Sequence, residues 1–351
     1  MDGFRRPGVL LEQTNLLSGD NIESLHNLSV RTVEELLGLI YADIDGVTEF
    51  LHGVDLTQLQ ADAYQSATMA IMSAEQEQQH ISHPLGALLP DEVEVEQVAD
   101  PRTFASYAGA AQQESVRHDG TEVIHACLLP ARDQGKRGTC VAYAATAVLE
   151  CLHLTQRGTR LEFSPQFLYW NAKQADGHPN TDGTWLRIAV PTTMQFGDCT
   201  ETSWAYNPRK IPGNIAQGPP PPTAVAEADL YRTASCVELD NRSVDSIRQE
   251  ISNGFPVAVS VPVYESWANN PAAKALGIIP MPLPRSRLIG GHAMCIVGYQ
   301  SDDDFPGGGA FIVRNSWGMG WAPLSPVQPG YGLIPFTYVD RYGLESVTIR
   351  L

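Results

Sequence analysis

The sequence predicts an α+β fold in which two lobes of different class follow a small all-α domain. Residues 1–73 carry apolar side chains at helical spacing, and a helix that is apolar almost all round begins at Cys140. Runs rich in valine and isoleucine, typical of strands, follow in the C-terminal part of the chain. Helices that precede strands in this way indicate a helical lobe and a β-rich lobe, with a cleft between them.

Size and composition exclude several classes of protein. The chain has 351 residues, of which 43% are hydrophobic and 18% charged, close to the averages for globular proteins. No apolar run approaches the roughly 18 residues that would span a membrane, so no membrane partner is expected. Polar residues interrupt the first apolar run, unlike a secretory signal, and we therefore expect a cytoplasmic protein.

Acidic charge is concentrated in the N-terminal third. The net charge is −17, and residues 1–100 hold eighteen acidic side chains against three basic ones. Such a surface repels phosphates, so no nucleic-acid partner is expected. A solvated acidic surface that maintains solubility is one interpretation. The other is a docking surface for a basic protein partner or for a basic patch on the C-terminal part of the chain.

Residues 1–73 are predicted to form an acidic helical domain. Its expected helices are Asn21–His26, Thr32–Ile40, Val47–His52 and Leu56–Met72. The turn at 27–32 resembles that of a helix-hairpin-helix module, with Ser29 in place of the hairpin glycine. Residues 74–125, rich in polar residues, are predicted to be a linker or a strap that lies in the cleft. The domain is interpreted as a partner-binding or targeting module, an inhibitory segment, or a stabilising extension.

From about Leu128 onward the expected elements are those of a larger domain, residues 126–351. Cys140–Leu154 is predicted to be a buried helix, and Pro208–Pro222 a surface loop. The expected strands are Pro256–Val263, His292–Tyr299 and Ala310–Arg314.

Cys140 is the candidate nucleophile of this domain. It follows a glycine-containing loop and opens the buried helix, where free N–H groups and the helix dipole favour a thiolate. The backbone N–H of Cys140 and the side-chain amide of Gln134 are candidate donors to an oxyanion. His292, at the start of an apolar strand, is the candidate base.

Asn315, at the end of the next strand, is the candidate that orients the His292 ring, because its carbonyl can accept from the imidazole. Trp317 is expected to cover that hydrogen bond. The residues expected to line the cleft are Asp182, Gly183, Ser260, Gly291 and Ala293.

The remaining cysteines and histidines are assigned structural roles. Six cysteines without paired spacing are expected to be reduced, and five of them to pack in the core. No zinc-ligand spacing is present, and Asp302–Asp304 lacks the pattern of a calcium loop. We therefore expect neither a metal ion nor another cofactor.

Three blocks of sequence resemble, in chain order, the motifs of the papain-like cysteine peptidases. They are QGKRGTC at 134–140 with the helix after it, GGHAMCIVGY at 290–299 and RNSWGMGW at 314–321. The segments Ser164–Tyr169 and Gly254–Trp267 are similar to those of bacterial members, so the resemblance covers residues 128–351. It implies a helical left lobe, a β-barrel-like right lobe and a peptide-binding groove between them.

The resemblance implies Cys140 as nucleophile, His292 as base and acid, Asn315 as its orienting residue and Gln134 in the oxyanion hole. The expected function is a thiol endopeptidase acting through an acyl-enzyme on protein or peptide substrates. Its N-terminal domain would recognise a partner or inhibit the enzyme. Acyl transfer or transpeptidation by the same triad is one alternative, and a catalytically silent binding protein with this fold is another. Arg137 stands where secreted members have a disulfide cysteine.

Overall fold

A computed structural model of the chain describes residues 3–89, 120–240 and 242–351. The N-terminal helices are α1 (Gly19–His26), α2 (Val33–Ala42), α3 (Ile44–Phe50), α4 (Leu56–Ser66) and α5 (Met69–Gln78). Each of the first four begins at a Ser, Thr or Asp side chain that accepts a backbone N–H of the first turn. Such caps satisfy otherwise free N–H groups and help helices of this length to form.

The prediction of one helix over Leu56–Met72 is wrong, because the helix is interrupted between α4 and α5. The N–H of Thr68 donates to the buried Glu34 carboxylate at 2.6 Å, and this contact lies 34 residues away in sequence. Ser29, at the position of the hairpin glycine, has a φ of 62°, the left-handed conformation that glycine adopts most readily.

Three helices form the left lobe: α6 (Cys140–Arg157), α7 (Pro165–Ala175) and α8 (Leu186–Phe196). α6 packs against the other two helices on one side and against the sheet on the other. Residues 140–152 are therefore buried throughout, as the all-round apolar pattern predicts. The shorter helix α9 (Pro222–Ala228) begins at the last proline of the predicted proline-rich loop.

Cys127 and Cys151 form a disulfide, which corrects the expectation that all six cysteines are reduced. Their Cα atoms are 4.9 Å apart, an ordinary separation for this bond. The bond ties the short turn at 125–127 to α6, and the 24-residue separation conceals that proximity in the sequence. The cytoplasmic location stays a prediction.

In the described residues, the right lobe is one antiparallel sheet with the strand order β2-β7-β3-β4-β5-β6, and β1 pairs with β4. Its strands are β1 (Thr121–Val123), β2 (Ser235–Glu238), β3 (Val257–Tyr264), β4 (Leu288–Ser301), β5 (Gly309–Arg314), β6 (Tyr331–Pro335) and β7 (Glu345–Arg350). Its helices are α10 (Val244–Ser252), α11 (Glu265–Ala268), α12 (Pro271–Leu276) and α13 (Phe336–Tyr342). The three predicted strands correspond to β3, β4 and β5.

The N-terminal helices pack on the right lobe and share its core. α2 and α5 lie against α12, and apolar residues of α2 belong to the same buried cluster as Val261 and Trp267. Gly38 of α2 lies so close to α12 that a Cβ at this position would overlap Ala272. The N-terminal domain is therefore docked through apolar surface. No helix in the described ranges combines the length and apolar character needed to cross a membrane.

Candidate active site

Cys140 is the first residue of α6 and is completely buried. The backbone N–H groups of Ala293, Gly86, Val141 and Ala87 lie near its thiol, and those of Gly86 and Ala87 also donate to the carbonyl of Gly291. Burial raises the pKa of Cys140 to about 12, and these four N–H groups oppose that shift because they favour the thiolate. In this conformation the group is a neutral thiol in a cradle suited to a thiolate.

His292 lies on β4, and its ring makes a side-chain hydrogen bond. Its Nε2 is 2.7 Å from Oδ1 of Asn315, and because that oxygen can only accept, the ring donates from Nε2. Trp317 stacks on the imidazole with ring centroids 4.3 Å apart. Burial lowers the pKa of His292 to about 3, and the bond to Asn315 opposes that shift.

The second ring nitrogen of His292 is available for chemistry. Nδ1 has no hydrogen-bond partner among the described residues, although it is buried. Ala293, the next residue, places its N–H against the thiol of Cys140. Ala293 thus lies near the sulfur, and its neighbour His292 is held by Asn315 through Nε2, which leaves Nδ1 free on the ring.

Gln134 is fully buried and its amide is fixed from both ends. Its Oε1 accepts from the hydroxyl of Ser316 at 2.7 Å, and its Nε2 donates to the carbonyl of Arg137 at 2.8 Å. Nε2 also reaches the carbonyl of Pro84 at 3.4 Å. Ser316 was not among the predicted site residues, although it directly follows Asn315. Its hydroxyl sets the direction of the Gln134 amide.

The loop at 182–184 is fixed by two helix residues that the sequence analysis did not identify. The N–H of Gly183 donates to the Tyr169 hydroxyl at 3.0 Å, and the carbonyl of Gly183 accepts from the buried Lys173 ammonium at 3.0 Å. Asp182 accepts from the N–H of Gly138, two residues before Cys140, at 2.9 Å. Because both polar groups of Gly183 are occupied, Thr184 is left to pair with a chain in the groove.

A segment of the same chain fills the groove. We call residues 79–89 the blocking segment. The N–H groups of Gly86 and Ala87 donate to the carbonyl of Gly291 at 3.1 Å. On the other wall, Thr184 donates to the carbonyl of Gly86 and accepts from Leu88, both at 3.0 Å. The predicted lining residues Gly183 and Gly291 thus lie beside a bound peptide chain.

Gly86 lies in close contact with the loop that precedes Cys140. A Cβ at Gly86 would overlap the backbone of Gly138. Upstream, His83 stacks on Trp317 with centroids 4.5 Å apart, and Nε1 of Trp317 donates to the carbonyl of Pro84 at 3.3 Å. The blocking segment therefore covers the thiol, the indole beside His292 and the amide of Gln134.

The other predicted lining residues lie deeper. Ala293 contributes its N–H to the thiol, and Ser260 pairs with it in the register of β3 and β4. The hydroxyl of Ser260 is buried and donates to Glu345 at 3.3 Å. Within the described residues, no group of three His, Cys, Asp or Glu side chains could hold a metal ion.

Comparison with known sequences identifies relatives over the C-terminal part of the chain. The family model described as papain family cysteine protease matches residues 115–324, a range that includes Cys140, His292 and Asn315. An uncharacterized peptidase C1-like protein of Acanthamoeba polyphaga mimivirus is 30% identical over 224 residues, which cover 61% of this chain and 67% of that protein. A cathepsin B-like protein of Giardia intestinalis is 25% identical over 247 residues, covering 68% and 75%.

Solved structures share the fold. Xylellain, a cysteine protease from Xylella fastidiosa, superposes with a TM-score of 0.60 at 23% identity, covering 77% of this chain and 97% of that chain. Procathepsin L 3 from Tenebrio molitor superposes with a TM-score of 0.51 at 16% identity, covering 91% and 93%. These likenesses confirm the predicted α+β two-lobe fold. The bacterial subtype and the helix-hairpin-helix likeness stay predictions, since the relatives include viral, protozoan and animal proteins.

Proposed function

The chain belongs to the papain family of cysteine proteases, and we propose that Cys140, His292 and Asn315 are the catalytic triad with which it hydrolyses peptide bonds. The observation that carries this proposal is the 2.7 Å hydrogen bond between His292 and Asn315, next to Ala293, whose N–H lies near the Cys140 thiol. A cysteine-type peptidase needs a nucleophile, a base and a group that orients the base. In this proposal Cys140 is the nucleophile, His292 the base and Asn315 the orienting group.

In the proposed mechanism, Nδ1 of His292 takes the proton of the Cys140 thiol, and the resulting thiolate attacks the scissile carbonyl carbon while the carbonyl electrons move to oxygen. The N–H of Cys140 and Nε2 of Gln134 donate to this oxyanion. The His292 imidazolium then protonates the leaving amine, and the carbon–nitrogen bond breaks to leave a thioester. His292 deprotonates a water molecule, which hydrolyses the thioester and restores the thiol.

The triad is tested by comparing two cysteine variants of the full chain. Cys140→Ala is expected to abolish hydrolysis of a fluorogenic peptide mixture. Cys199→Ala is the matched control, because Cys199 is also buried and free but does not belong to the site. Retention of hydrolysis by Cys140→Ala would refute the assignment of the nucleophile.

Of the three interpretations of the N-terminal domain, the groove contacts favour inhibition. The blocking segment occupies both walls of the groove, so a substrate can reach the thiol only after this segment leaves. The carbonyl of Gly86 accepts from Thr184, and the carbonyl of Pro84 accepts from the amide of Gln134 at 3.4 Å. With both walls of the groove occupied, we expect the full chain to be latent.

Latency is tested with a substitution at the closest contact. Gly86→Ala introduces a methyl group into the backbone of Gly138, so the blocking segment is expected to leave the groove and peptide hydrolysis to rise at least tenfold. Gly19→Ala is the matched control, because a Cβ at Gly19 meets open space. Labelling of Cys140 by a thiol-directed peptidase inhibitor reports the same opening. Equal labelling of the wild-type, Gly86→Ala and Gly19→Ala chains would rule out latency.

A further inference from the structure

A cavity lies between the blocking segment and the right lobe, next to Trp317. It has a volume of about 180 Å³. The right-lobe residues that line it are Val263, Trp267, Ala268, Asn269, Lys274, Ile289 and Trp317. This wall is mostly apolar, and Lys274 of α12 gives it a positive charge.

Lys274 is bound by main-chain carbonyls of the N-terminal part. Its side chain is buried, and Nζ donates to the carbonyl of Ile81 at 2.7 Å and contacts that of Gln78 at 3.5 Å. Residues 79–85 contain no acidic side chain. The ammonium is therefore stabilised in the latent chain by neutral dipoles, and burial lowers the pKa of Lys274 because no carboxylate offsets the loss of water.

The position of the cavity identifies the side of the substrate that would occupy it. His292 protonates the leaving amine in the proposed mechanism, and Trp317, which stacks on His292, lines the cavity. The residues that follow the cleaved bond therefore leave along this wall. Ile81 is five residues from Gly86, so its carbonyl is at most about 17 Å along the chain from the thiol.

We propose that Lys274 recognises a carboxylate on the leaving-group side of the substrate, roughly two to four residues beyond the cleaved bond. This inference rests on the proposed function and specifies its substrate class. When the blocking segment leaves, Ile81 withdraws its carbonyl, and Lys274 faces a cavity with indole and aliphatic walls. A charge-assisted bond to a carboxylate is stronger than a bond to a neutral carbonyl, and the apolar walls strengthen it further.

The same contrast explains how the blocking segment can inhibit and still be displaced. The segment offers Lys274 the carbonyl dipole of Ile81, whereas a substrate with a carboxylate offers a full negative charge. The carboxylate belongs either to an acidic side chain or to the C-terminus of a short peptide. Both present the same two oxygens to the ammonium.

The first experiment measures kcat/KM for peptides that differ only after the cleaved bond. Amidated peptides with Glu or Gln at the second, third or fourth position form one set, and peptides ending there with a free or an amidated C-terminus form the other. In the full-length Gly86→Ala chain we expect about a tenfold preference for the carboxylate, and its loss in Lys274→Met. Lys210→Met, which removes a lysine that pairs with Asp182 on the opposite wall, is expected to keep the preference.

The second experiment needs no peptidase activity. Ser82 lines the cavity on the blocking segment, and Ser82→Glu places a carboxylate opposite Lys274. Labelling of Cys140 is expected to be about tenfold slower in Ser82→Glu than in Ser82→Gln, and this difference is expected to vanish when Lys274 is Met. Equal labelling of Ser82→Glu and Ser82→Gln would overturn the inference.

The outcomes separate the two proposals. Hydrolysis without any preference for a carboxylate contradicts the role of Lys274 and leaves the peptidase proposal standing. A preference that survives in Lys274→Met overturns the assignment of Lys274. If the Ser82 variants differ as expected but no peptide is cleaved, Lys274 binds carboxylates and the peptidase proposal fails.

Discussion

Glu75 makes the stability of the docked N-terminal domain depend on pH. It lies on α5 and is 2% exposed, and within the described residues its Oε1 has no hydrogen-bond partner. Burial, together with the charges of Glu34 and Glu35, raises the pKa of Glu75 from 4.5 to about 8. The folded chain therefore holds a proton on Glu75 that the unfolded chain has already released at neutral pH.

The sign and size of the effect follow from this pKa difference. Stability contributed by the protonated carboxyl is fully present below pH 4.5 and is lost as the pH rises to about 8. Each pH unit in that window costs about 1.4 kcal/mol, so the chain is expected to lose about 4 kcal/mol between pH 5 and pH 9. Glu75→Gln keeps the shape of the side chain and removes its ionisation.

The assay is urea denaturation of the wild-type and Glu75→Gln chains at several pH values. The variant is expected to gain little at pH 5 and about 4 kcal/mol at pH 9 in the free energy of unfolding, relative to the wild type. Glu77→Gln serves as a control on the same helix, because Glu77 is exposed. A gain from Glu75→Gln that is the same at every pH would refute the reasoning.

Three further predictions concern the site. Ser316→Ala removes the hydroxyl that donates to Oε1 of Gln134. In the Gly86→Ala chain, steady-state kinetics are therefore expected to show a kcat about tenfold lower at similar KM. An unchanged kcat would contradict the role of Ser316. Tyr169→Phe removes the acceptor of the Gly183 N–H. The KM for long peptides is expected to rise about fivefold at unchanged kcat. A fall in kcat alone would contradict this role of Tyr169. With an added primary amine, mass spectrometry is expected to find mainly hydrolysed product, and mainly amide product would identify an acyl transferase.

The sequence was sufficient to predict the residues whose environment is local. Cys140 opens an apolar helix and His292 begins an apolar run, so the helix dipole and the strand pattern indicate their places before any folding is known. The order of the motif blocks then predicted the two lobes. These signals depend on neighbours within a few residues.

Contacts between distant segments could not be predicted in the same way. The apolar periodicity predicts one continuous helix, which the hydrogen bond from Thr68 to Glu34 interrupts. The disulfide joins Cys127 to Cys151 because the turn at 125–127 packs on α6. The polar composition of residues 74–125 indicated a linker or strap, but its partners in the groove lie on β4 and on the loop at 182–184. Lys274 carried no motif, and its role depends on the wall that folding builds around it.

The most direct test of the account measures how the rate of Cys140 alkylation depends on pH. The full-length Gly86→Ala chain, in which the groove is expected to be open, is compared with the same chain carrying His292→Ala. A thiolate–imidazolium pair predicts fast alkylation at pH values well below the ordinary thiol pKa of about 8.5. When the imidazole is removed, the apparent pKa of Cys140 is expected to rise toward or above 8.5. Identical profiles for the two chains would show that His292 does not activate Cys140, and would contradict the proposed mechanism.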